Sequence, residues 1–70
     1  MVGFPDSKVI GKRLRYLRGK NTLEYVANGI GVTSMAVSLW ERGERVPNDV
    51  LKAKLANFFS VSVDDIFFTK

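Results

Sequence analysis

Residues 31–47 read GVTSMAVSLWERGERVP and carry most of the side chains in this chain that have chemistry to offer. Thr33 precedes an apolar-periodic run, where its hydroxyl can cap a helix from Ser34 to about Arg42. Val37 and Trp40 share one face of that helix. Ser34, Met35, Ser38 and Leu39 fall at i, i+1, i+4 and i+5 on the opposite face. Two arginines follow, Arg42 and Arg45. Gly43 suits a left-handed helix stop, and Pro47 pushes Val46 into an extended conformation. The chemistry of this stretch is non-covalent: hydroxyl hydrogen bonds, apolar contact and attraction of anions.

Composition narrows the function in the same direction. The chain has no histidine and no cysteine, which removes the commonest general base, the commonest metal ligand and any thiolate site. No glycine-rich phosphate loop or metal cluster is present in the sequence, and Asp64 and Asp65 read as helix-start charges. An enzyme, a cofactor and a small-molecule ligand are therefore not expected. No apolar run approaches the roughly 20 residues of a membrane span. The start, MVGFPDSK, lacks the charged and apolar blocks of a secretory signal. A small soluble cytoplasmic domain is expected. With 70 residues it is one domain with a marginal core, which a second copy would help to stabilise. In residues 1–20, Lys8, Lys12, Arg13, Arg15, Arg18 and Lys20 stand against Asp6 alone, a net +5, while the whole chain carries +4. Such a basic third suits a polyanion or an anionic surface.

The elements that position the 31–47 stretch follow from periodicity. Ser7 can cap a first helix to about Arg18, with Val9 or Ile10, Leu14 and Leu17 inward. Thr22 caps a second helix, Leu23 to Ile30, with Val26, Ala27 and Ile30 inward and Glu24 favoured by the dipole in its first turn. Asn48 or Asp49 opens a fourth helix to about Phe59, with Leu51, Leu55 and Phe59 inward. Ser62 to Asp65 has the form of a capping box opening a last short helix that contains Ile66 and Phe67. The glycines at 29, 31 and 43 end or join helices. No period-2 strand, internal repeat or low-complexity tract is evident. The expected fold is all-α, five short helices around one core. It comprises an N-terminal segment 1–8 and a helical domain 9–68.

The second and third helices together satisfy the needs of a helix-turn-helix unit, about residues 22–42. Ala27 is small where two helices cross, Gly31 tolerates a positive φ, and Val26, Ile30, Val32, Val37 and Trp40 can fix the crossing. The segments IGKRLRYLR, TLEYVANGIGVT, VSLWERGERVP and LANFFSVSVDDIFF resemble the Xre/Cro-type helix-turn-helix domains of phage repressors and bacterial transcription regulators. The resemblance covers about residues 9 to 68. Its most telling parts, ERG-x-R-x-P and SVDDIF, lie outside the generic unit.

That resemblance implies a lambda-repressor-like fold and a protein that binds double-stranded DNA, nucleoid-associated when bound. The third helix would lie in the major groove, with Ser34, Met35, Ser38 and Leu39 facing bases. Thr33, Arg42 and Arg45, with the N–H groups opening the second and third helices, would face phosphates. It also implies that Glu41 pairs with Arg15 or Arg18. Two departures stand out. Leu23 occupies the place where the family usually has a phosphate-gripping Gln, and the connection before it is about two residues short. The stripe also lacks the Arg, Gln and Asn that make bidentate base contacts, so an A·T-rich, near-palindromic operator is expected, with thymine methyls against Met35 and Leu39. A dimeric repressor is expected, with an interface at Phe58, Val61, Val63, Phe67 and Phe68. The alternative is a protein-interaction module, or an antitoxin-like partner-binding protein, using the Met35/Leu39 face.

Overall fold

The computed structural model describes residues 6–68. They form five helices: α1 Ser7–Arg18, α2 Leu23–Ile30, α3 Ser34–Glu41, α4 Asp49–Phe59 and α5 Val63–Phe67. Among the described residues there is no strand, and no helix is long and apolar enough to cross a membrane. Of the expected N-terminal segment 1–8, residues 1–5 lie outside the described residues, and Ser7 and Lys8 already belong to α1.

Each helix starts where a short polar side chain can accept from the first turn. Thr22, Thr33 and Asn48 accept from the N–H groups of Tyr25, Ala36 and Leu51. Ser62 and Asp65 form the reciprocal capping box of α5. The first helix differs from expectation. Its cap is Asp6, whose carboxylate accepts from Val9 N–H at 2.9 Å, one residue before Ser7. Ser7 is then free for a tertiary role: its Oγ donates to the Gly43 carbonyl at 2.8 Å, tying the start of α1 to the end of α3.

The helices close around Ile10, Leu14, Val26, Ala27, Ile30, Val37, Trp40, Leu55, Ala56, Ile66 and Phe67. Burying an aliphatic side chain of this kind contributes about 1.5–3 kcal/mol. Ile10 takes the inward position and Val9 stays on the surface. Leu17, Leu51 and Phe59 pack on the core's edge, half-buried. Gly29 does not end or join helices. It lies within α2, where the Phe58 ring covers it so closely that a Cβ would meet that ring. Phe67 is 1% exposed, a core residue, and so leaves the expected dimer surface. With Ile66 it forms the buried face of the five-residue α5 and joins the core cluster.

A close backbone contact between α1 and α3 was not foreseen from the sequence. Gly11 sits against the C-terminal carbonyls of α3, and a Cβ there would lie 2.6 Å from the Trp40 oxygen and closer still to that of Glu41. Those obstacles are backbone, so α1 and α3 would have to part. Gly11→Ala is expected to lower the unfolding free energy by about 1–3 kcal/mol. The readout is a lower urea midpoint at unchanged slope. An unaltered midpoint would show that the two helices can separate without cost.

Candidate nucleic-acid interface

The site begins at the turn between α2 and α3. Gly31 adopts φ 81°, ψ 37°, the left-handed region. No heavy atom lies within 4 Å of where its Cβ would be, so conformation alone demands glycine here. The Gly31 and Val32 N–H groups both donate to the Ala27 carbonyl, at 2.8 and 2.9 Å. The chain is thereby redirected within three residues into Thr33, which is extended and caps α3. Helix geometry leaves the Ser34 and Met35 N–H groups without an intrahelical acceptor, and the dipole makes this end partially positive.

The far end of α3 is fixed as firmly. Gly43 has φ 76°; its N–H donates to the Trp40 carbonyl, and the Glu44 N–H donates to that of Leu39. Behind α3, Arg18 and Glu41 form a bidentate pair, Nε–Oε2 2.7 Å and Nη2–Oε1 3.0 Å. Their side chains are 15% and 9% exposed. The Glu41 hydrogen bonds raise the Arg18 pKa above its ordinary value, against the opposing effect of burial. Arg15, the other candidate partner, instead donates to the Gly19 carbonyl. The third Arg18 bond, Nη1 to the Asn21 carbonyl at 2.7 Å, braces the short connection between α1 and α2.

With its back so held, α3 turns the expected residues outward. Val37 and Trp40 are buried. Met35 is 62% exposed, and Ser34, Ser38 and Leu39 are half-buried on the same side. Leu39 leans toward the following loop, where it lines an open groove of about 340 Å³ with Ala36, Trp40, Arg45, Val46 and Leu51. Thr33, Arg42 and Arg45 are all on the surface. Arg42 pairs with Glu44 at 3.2 Å, but both side chains are more than half exposed, so this pair contributes little and is readily exchanged. Arg45 makes no ion pair among the described residues.

Val46, 44% exposed in the same groove, was not singled out from the sequence. The proline signal fixes only its extended backbone, not the exposure of its side chain. The remaining aromatic and valine candidates have different neighbours. Phe58 stacks edge-on with Tyr25 of α2, centroids 5.6 Å apart. Val61 lines a hollow against α1, and Phe68, 39% exposed, lies near the Lys52 ammonium. Val63 packs half-buried on the core's edge.

The helix-turn-helix family model matches residues 12–66. Among solved structures, the P22 c2 repressor in complex with a synthetic operator is 30% identical, with a TM-score of 0.80, over 83% of this chain and 91% of that one. The restriction-modification controller protein C.AhdI from Aeromonas hydrophila is also 30% identical, TM-score 0.80, over 87% and 96%. The clp gene regulator ClgR from Corynebacterium glutamicum is 27% identical, TM-score 0.78, over 86% of this chain and 66% of that one. No curated protein sequence matches significantly.

Two substitutions separate scaffold from surface in the absence of any ligand. Thr33→Ala is expected to cost about 1 kcal/mol of stability through the lost cap. Met35→Ala is expected to stay within about 0.5 kcal/mol. Urea unfolding measures both, and a large loss at Met35 would make it a packing residue.

Proposed function

The chain belongs to the helix-turn-helix family of DNA-binding transcription regulators, of the Xre/Cro type, and from that premise we propose that it acts as a dimeric repressor. In this reading α3 enters the major groove. Ser34, Met35, Ser38 and Leu39 face base edges, and Thr33, Arg42 and Arg45 hold phosphates from the two ends of the helix. The P22 c2 repressor was solved on an operator, and its similarity to this chain supports the same mode of docking.

The observation that carries the reading is the exposed Met35 on a helix whose other anchors all lie behind it. A methionine and a leucine offer a base pair no hydrogen bond. What they complement is the thymine methyl, while Ser34 and Ser38 tolerate several base edges. An A·T-rich, near-palindromic operator follows, with affinity drawn largely from phosphates and part of the specificity from DNA shape. Dimerisation places two recognition helices about 34 Å apart. Of the surface residues expected to mediate it, Phe58, Val61, Val63 and Phe68 remain candidates.

A salt titration of duplex binding tests the proposal. The observed association constant is expected to fall steeply and log-linearly with salt, and Arg45→Ala is expected to reduce the slope by about 1. Salt-independent binding, or none by the folded protein, would mean that the Met35/Leu39 face docks another protein instead.

A further inference from the structure

Tyr16 is 84% exposed, more than any other large hydrophobic side chain among the described residues. It stands on α1 at the rim of a hollow of about 290 Å³ between α1 and α5. Leu17, Val61 and Ile66 make the apolar lining. Arg13 fastens the two helices that frame it, its Nη1 donating to the carbonyls of Ile66 at 3.0 Å and Asp65 at 3.3 Å. The α1 wall is basic, with Lys12 and Arg13, and the α5 wall carries Asp65, with exposed Asp64 next to it. The hollow lies away from the groove that α3 and Arg45 line, and shares no residue with it.

A protruding aromatic ring beside an apolar hollow, on one face with walls of opposite charge, is complementary to itself. A two-fold axis through such a face sets the ring of each copy over the hollow of the other and the basic wall of each over the acidic wall of the other. The face suits duplex DNA poorly, because the Asp65 carboxylate repels phosphate and the apolar floor offers it no hydrogen bond. Exposed tyrosines in this setting are typical interface anchors, apolar in body and polar at the tip. We propose that this face is where two copies of the chain meet, with Tyr16 of each filling the α1–α5 hollow of the other and Lys12 meeting the second copy's Asp65. The inference rests on the dimeric reading above and replaces its diffuse aromatic surface with a defined one, in which Val61 takes part and Phe58, committed to Tyr25 on α2, does not.

The full chain has no cysteine, so cross-linking can be placed at will. Tyr16→Cys and Val61→Cys are made separately, mixed, and treated with a short bis-maleimide, while sedimentation equilibrium follows the parent at tens of micromolar. The expected result is a dimeric parent and a covalent dimer from the mixture well above the yield of either variant alone. Tyr16→Lys, at a position 84% exposed in the single chain, is expected to weaken self-association at least tenfold while the far-ultraviolet helical signal of the variant stays that of the parent. A dimeric parent with no mixed product, with self-linked Tyr16→Cys as the main product, or with Tyr16→Lys still fully dimeric, would overturn the proposed contact and leave the dimeric regulator intact. A parent that is monomeric throughout would overturn both.

Discussion

The third helix, α3, depends on being held from behind. At eight residues α3 is too short to be stable alone, and only Val37 and Trp40 place it in the core. The bidentate pair between Arg18 and Glu41 supplies the missing constraint. One guanidinium grips the carboxylate of α3 with two donors and the Asn21 carbonyl with a third. It therefore fixes α1, the connection after it and α3 as one body. A pair this enclosed gains little net free energy over an apolar replacement, so its distinctive effect is orientation.

Other contacts on that side depend on this registration. Gly11 can approach the α3 carbonyls only while α1 lies flat against them, and the Ser7 hydroxyl reaches Gly43 only if the loop after α3 starts at the right place. The short α1–α2 connection, braced by Arg15 and Arg18, keeps the two ends of this clamp close. Because the ion pair and the closest backbone contacts lie behind or beyond α3, Met35 is left exposed, and Ser34, Ser38 and Leu39 are left half-exposed beside it. Serine, methionine and leucine can occupy this outer stripe for what they offer a ligand.

Much of this arrangement was legible in the residues. The turn at Gly31, the caps Thr22, Thr33 and Asn48 and the Ser62–Asp65 box follow from local chemistry that acts within four residues, and all five helices are where periodicity puts them. What escaped was non-local. Asp6 and Ser7 are both good caps, and only the distant Gly43 carbonyl determines which is spared for another task. Gly11 and Gly29 look like helix-weakening residues until the α3 backbone and the Phe58 ring are seen against them. Phe67 and Phe68 are identical in type and adjacent, but α5 ends at Phe67, which is buried, while Phe68 leaves the helical conformation and is exposed. The choice between Arg15 and Arg18 for Glu41 likewise needed the geometry of the shortened connection.

The central claim is that α3 reads DNA through apolar and hydroxyl contacts and not through charged or amide side chains. It is tested most directly by selecting bound duplexes from a random pool at physiological ionic strength. The account predicts an inverted repeat whose half-sites lie about one helical turn, roughly 34 Å, apart, with A·T pairs where α3 meets the major groove. Invariant G·C pairs at those positions, or no enrichment by the folded protein, would contradict it.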